Sequence, residues 1–203
     1  MNKLVFLFLA AALSSLTTPM VLAQGDAEAG ASKIALCATC HGADGNSEIP
    51  MNPKLAGQSA SYLAKQLRNY QSGERQNATM AGMAATLSEQ DILDISAYYA
   101  AQKPTLEGAD PELLELGEAL YRSGNPELGV AACSACHAPT GAGNGPAGFP
   151  ALGGQHVEYT LQQLQMFRSG ERANDLNGMM RTTVERLTDS ELEALASYVS
   201  GLH

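Results

Sequence analysis

Apolar residues recur along this chain with a helical period, in six blocks that fall into two sets of three. In the first set, a short helical pattern covers residues 26–36. Tyr62, Leu63, Leu67 and Tyr70 then form one stripe, and Ile92, Ile95, Tyr98 and Tyr99 another. In the second set, Pro111 opens a helix over 112–121. Leu161, Leu164 and Phe167 make its second stripe, and Leu192, Leu195, Tyr198 and Val199 its third. Ser88 with Asp91, and Thr188 with Glu191, are capping pairs that start the last helix of each set. Residues 42–53 and 138–150 are rich in Gly, Asn and Pro and predict loops. No run alternates with period two, so the expected fold is all-α.

The two sets are copies of each other. Pro53-Lys54-Leu55-Ala56-Gly57-Gln58 answers Pro150-Ala151-Leu152-Gly153-Gly154-Gln155, 97 residues on. Gln66 to Arg75 answers Gln163 to Arg172, and Leu87 to Asp91 answers Leu187 to Glu191. A period this long suits two small domains of one fold rather than a solenoid. The stretch between them is polar and bracketed by Pro104 and Pro111, which reads as a linker. The expected layout is a leader over 1–23, a first domain over 24–101, a linker over 102–111 and a second domain over 112–203.

The leader reads as a signal peptide. Lys3 is followed by an apolar run of about ten residues and by Val21-Leu22-Ala23, small residues suited to cleavage before Gln24. That run is short of the roughly 20 residues that span a bilayer, so a soluble, exported protein is expected. Of the 12 basic residues, Lys3 lies in the leader. The mature chain then holds 11 against 21 acidic residues, a net charge of −10. Such a balance argues against nucleic acid and against charge-driven binding to an anionic membrane.

The chemistry lies in Cys37-Ala38-Thr39-Cys40-His41 and its repeat Cys133-Ser134-Ala135-Cys136-His137. Thiols three positions apart can each add across one vinyl group of the same haem, and the histidine after them then lies under the iron. A single such motif also fits a redox or zinc site. Two of them, using all four cysteines inside a longer repeat, point to two covalent haem c groups, with no disulfide expected. Met80 and Met180 are the only methionines that recur at equivalent positions, seven residues before Leu87 and Leu187 respectively. Sulfur is a soft ligand suited to the far side of the iron. The expected axial pairs are His41 with Met80 and His137 with Met180, with Met83 and Met179 as substitutes. His156 is a rival ligand in principle, but Ser59 stands at its counterpart, and it reads as a surface or packing residue. His203, at the terminus, reads as solvated.

An axial histidine donates its other ring nitrogen to an acceptor, and a carbonyl near Pro53 and Pro150 is the candidate in each copy. Arg68, Arg75, Arg168 and Arg172 are candidates to reach haem propionates, although basic residues on a helix face are commonly solvated.

Two haem motifs in one exported chain of this length, the opening Gly25-Asp26-Ala27-Glu28-Ala29-Gly30, the paired Leu-x-Gly-Gln segments, the Ser-Gly-Glu-Arg repeats and the closing Gly201-Leu202-His203 resemble the cytochrome c4 family. The resemblance covers essentially the whole mature chain. It implies two class I cytochrome c domains with haems close enough to exchange electrons. It also implies a periplasmic carrier without a substrate of its own, sometimes loosely attached to the membrane, whose expected partners are a quinol-oxidising complex or another donor and a terminal oxidase as acceptor. By position, the family's ligands fall on His41, Met80, His137 and Met180. Two other readings stand beside this one: the haem subunit of a larger dehydrogenase, and a dihaem peroxidase with one displaceable ligand.

Overall fold

The computed structural model describes residues 24–203, so the expected signal peptide at 1–23 lies outside the described residues. These residues form helices and loops, with isolated bridges but no strands. The first half holds α1 (Ala27–Ala31), α2 (Ala35–His41), α3 (Ala60–Ser72), α4 (Ala78–Ala84) and α5 (Glu89–Ala100). The second repeats the order as α6 (Leu114–Ser123), α7 (Ser134–His137), α8 (Val157–Ser169), α9 (Met179–Val184) and α10 (Asp189–Ser200). Both capping boxes form at the starts of α5 and α10.

Two local expectations change, and one further pair of helices comes to light. The single helix over 26–36 is broken, because Ser32 turns its hydroxyl back onto Ala29 O at 2.7 Å and ends α1 before α2 begins. Pro111 lies in a turn closed by Leu113 N–H to Asp110 O, and the helix starts only at Leu114. The methionine segments are helical: Asn77 caps α4 by accepting the Met80 N–H at 2.9 Å.

In each half the last helix is the hub. It packs against the first helix on one side and the middle helix on the other. The core around α5 gathers Ile34, Leu63, Ile95 and Tyr99; that around α10 is larger and includes Leu120, Tyr121, Phe167, Leu192 and Leu195. Both first helices cross the hub so closely that only glycine fits. A Cβ on Gly30 would lie 2.2 Å from Asp94 O, and one on Gly117 would lie 2.4 Å from Ala194 O. In both crossings the next neighbour is a tyrosine Cβ, Tyr98 or Tyr198.

The halves meet along a reciprocal interface. Arg172 donates to Tyr62 Oη and Arg75 to Tyr159 Oη, each at 2.9 Å, while Gln66 and Gln163 accept from both guanidinium groups. Arg75 lies over the Tyr70 ring and Arg172 over Phe167. Such i-to-j, j-to-i pairing is the mark of a twofold relation. Arg75 and Arg172 are thus buried rather than solvated, with neutral acceptors and no salt bridge among the described residues. Arg68 and Arg168 stay near the surface and pair with Glu89 and Asp189.

One ionic cluster breaks the symmetry. His156 is buried at the interface, with Nε2 facing Ser47 O at 2.8 Å and Nδ1 facing Glu107 at 2.9 Å, while Lys54 pairs with the same carboxylate at 2.7 Å. Both ring nitrogens are engaged, which leaves neither for a metal. Residues 102–110, without regular structure, are fastened to the first half by Asn46, which accepts the Thr105 N–H and donates to Lys103 O.

Candidate functional site

Helix α2 carries Cys37, Cys40 and His41 within two turns, and α7 with its preceding residue carries Cys133, Cys136 and His137. In both, the first cysteine packs against the core of its half, the second is exposed and the histidine is buried. The next residue reverses the chain with a positive φ, Gly42 at 80° and Ala138 at 66°. The loop that follows is then pinned by matching bonds: Leu55 N–H to Gly45 O and Leu152 N–H to Gly141 O, both 2.7 Å. These return the chain so that His41 Nδ1 meets Pro53 O and His137 Nδ1 meets Pro150 O, each at 2.9 Å. The acceptors expected near Pro53 and Pro150 are those prolines' own carbonyls.

A carbonyl can only accept, so Nδ1 holds the proton in both rings. Burial lowers both histidine pKa values, opposed by the proline carbonyls, and keeps the rings neutral. The lone pair then lies on Nε2, which makes no hydrogen bond among the described residues. Burial also raises the Cys37 thiol and pushes Cys133 up to about 11. No group of three or more His, Cys, Asp or Glu among the described residues could hold a metal ion. Two thiols and one neutral imidazole with a free lone pair suit a covalent haem and not a four-ligand zinc site.

Met80 is half-buried on α4, against α3; Met180 is half-buried on α9 and packs on the second core. Met83 and Met179 are 44% and 38% exposed. Around the second motif, Tyr121 donates to Ala138 O at 2.6 Å, and the Phe149 and His137 rings meet edge to face with centroids 6.0 Å apart. The glycine crossings at Gly30 and Gly117 that hold the first helices were missed from sequence. Their spacings to the haem motifs differ between copies, which hides the repeat.

The cytochrome c family model matches residues 27–102 and again 114–203. Cytochrome c4 of Stutzerimonas stutzeri is 49% identical over 196 residues, covering 92% of this chain and 93% of its own. The crystal structure of reduced recombinant cytochrome c4 from Pseudomonas stutzeri superposes with a TM-score of 0.86 at 49% identity, over 88% of this chain and 100% of that one. A thiosulfate dehydrogenase electron acceptor of Thiomonas intermedia is 38% identical over 82% of this chain and 78% of its own. With two haem-binding motifs, each on a helix whose histidine presents a free nitrogen, the chain belongs to the cytochrome c4 family, electron-transfer proteins that carry two covalent haem c groups.

Proposed function

We propose that this protein is an exported electron carrier that delivers electrons to a terminal oxidase through two six-coordinate haems, ligated by His41 with Met80 and His137 with Met180. Cys37 and Cys40 hold the first haem, Cys133 and Cys136 the second, in domains over 24–101 and 112–203 joined by 102–111. The observation that carries the ligand reading is the fixed tautomer: both histidines commit Nδ1 to a proline carbonyl and leave Nε2 for iron. For the methionines, the support is their recurrence at matched positions and their half-burial beside exposed neighbours. When bound, haem iron takes up and releases one electron. The chain's part is to hold its ligands still. Pro53 and Pro150 orient the imidazoles, and the capped α4 and packed α9 carry the sulfurs.

Export rests on the leader pattern at 1–23, and no helix among the described residues is long and apolar enough to cross a membrane. Partners should dock transiently over a small surface, and the net charge favours basic patches on them, with loose attachment to the membrane compatible with such docking. The test is the visible spectrum of the dithionite-reduced protein before and after carbon monoxide, which binds ferrous haem only where the sixth position opens. An unchanged spectrum supports the carrier. A shifted Soret band from one haem would move a peroxidase reading to the front. A second carrier reading, the haem subunit of a dehydrogenase, is favoured by the likeness to a thiosulfate dehydrogenase electron acceptor. Stable co-purification with a dehydrogenase subunit would select it.

A further inference from the structure

We propose that Gln58 and Gln155 are positioning residues that tune the haem of the opposite half, each through the peptide group that holds that half's axial histidine. The inference rests on the reading of His41 and His137 as ligands.

Pro53 O, which accepts from His41 Nδ1 at 2.9 Å, belongs to the same peptide group as the Lys54 N–H. That N–H crosses the interface and donates to Gln155 Oε1 at 2.9 Å. In the other half, Pro150 O accepts from His137 Nδ1 at 2.9 Å, and the Ala151 N–H of that peptide group donates to Gln58 Oε1 at 3.0 Å. Each glutamine is held in this orientation by its amide nitrogen, which donates at 3.0 Å to the carbonyl of the residue it reads: Gln155 to Lys54 O, Gln58 to Ala151 O. A flipped amide would set donor against donor and acceptor against acceptor, so only Oε1 can face the N–H. Each Oε1 is further fixed by the N–H of its own next residue, Ser59 or His156.

A peptide group is a resonance hybrid, and a hydrogen bond accepted from its N–H places more negative charge on its oxygen. Chained bonds strengthen one another in this way by about 10–30% each. A more negative Pro53 O pulls harder on the Nδ1 proton, which makes the imidazole a more basic ligand and favours ferric iron. The chain thus runs from Gln155 through the Pro53–Lys54 peptide to His41, and from Gln58 through the Pro150–Ala151 peptide to His137. It is crossed: the glutamine of one half acts on the ligand of the other. A glutamine that merely glues the halves together would act on both haems alike.

The test uses the full-length holoprotein with Gln155→Met and Gln58→Met, which keep side-chain length but remove the acceptor. Spectroelectrochemical titration reads two waves, each assigned to its half by the paramagnetically shifted proton signals, among them the Nδ1 proton of each axial histidine. Gln155→Met is expected to shift the first-half wave and the His41 Nδ1 proton, the wave to higher potential, with the second-half wave unmoved. Gln58→Met is expected to do the same to the second half alone. Gln155→Glu retains an acceptor for Lys54 N–H and is expected to move the first-half wave in the opposite direction. Both waves moving together, neither moving, or Met and Glu shifting the wave the same way would overturn the proposal. In the wild type, ferric spectra without histidine-ligated low-spin signals would overturn the ligand reading itself, independently of the variants.

Discussion

Ala138 stands where the first half has glycine, and replacing it tests how much strain the second haem motif stores. Gly42 has φ 80° and ψ 150°, and Ala138 has φ 66° and ψ 155°. Only glycine visits this region freely, and another residue held there is strained by about 1–3 kcal/mol. The surroundings hold Ala138 in place: Tyr121 donates to its carbonyl at 2.6 Å, and His137 immediately before it is tied to Pro150. Ala138→Gly removes the strain but gives the unfolded chain about 0.5–1 kcal/mol of extra entropy. The net expectation is a stabilisation of about 1 kcal/mol. For a chain of this size unfolding as one unit, that raises the melting temperature by about 2–4 °C. The reverse change in the first half, Gly42→Ala, adds the strain and sets a Cβ 2.9 Å from Asn46 O, so it should destabilise by at least the strain itself. Calorimetry of the two holo-variants beside the parent reads both. An Ala138→Gly protein no more stable than the parent, beside a harmless Gly42→Ala, would refute the strain argument.

Further outcomes follow from the packing and the charges. Gly117→Ala should weaken the second half by about 1–3 kcal/mol, because its Cβ would strike Ala194 O; denaturant midpoints would show it, and an unchanged midpoint would mean the helices separate freely. Tyr62→Phe removes one acceptor from the buried Arg172, a loss of about 1–3 kcal/mol for a bond to a charged group, read by denaturation and contradicted by a neutral result. Asp91 and Asp94 are both held at about 2, chiefly by hydrogen bonds from Lys33, then by the Ser88 hydroxyl at Asp91 and the Asp26 N–H at Asp94. Their pKa values are depressed, so their contribution is present above the ordinary aspartate value of 3.8 and is lost as pH falls towards 2. Lys33→Met should therefore flatten part of the stability loss over that range, and an equally steep loss in the variant would count against the ion pair.

Much of the haem chemistry was legible in the chain because it is local. Two cysteines and a histidine within five residues stay together whatever lies around them, and the capping pairs at Ser88 and Thr188 form within their own first turns. The tandem copy separated Met80 and Met180 from their neighbours before any packing was known. The prolines were legible only in outline: their positions stood out, but which carbonyl accepts depends on how the loop returns.

What the sequence by itself determined, then, is the kind of protein: an all-α, duplicated chain with two haem-binding motifs, since period, spacing and repetition act over a few residues. Only the tertiary structure decided how the copies meet. Arg75 and Arg172 lie in irregular chain just past α3 and α8, where solvation was the natural reading, and the opposing Tyr159 and Tyr62, more than 80 residues away, help to bury them. His156 became an interfacial residue because Ser47 and Glu107 come to it from other segments. Gln58 and Gln155 stood out only as the ends of a repeated segment, and the fold turned each across the interface onto the other half's histidine peptide. Contacts of this kind arise between segments far apart in the chain, where no periodicity links the partners and the geometry of packing alone selects them.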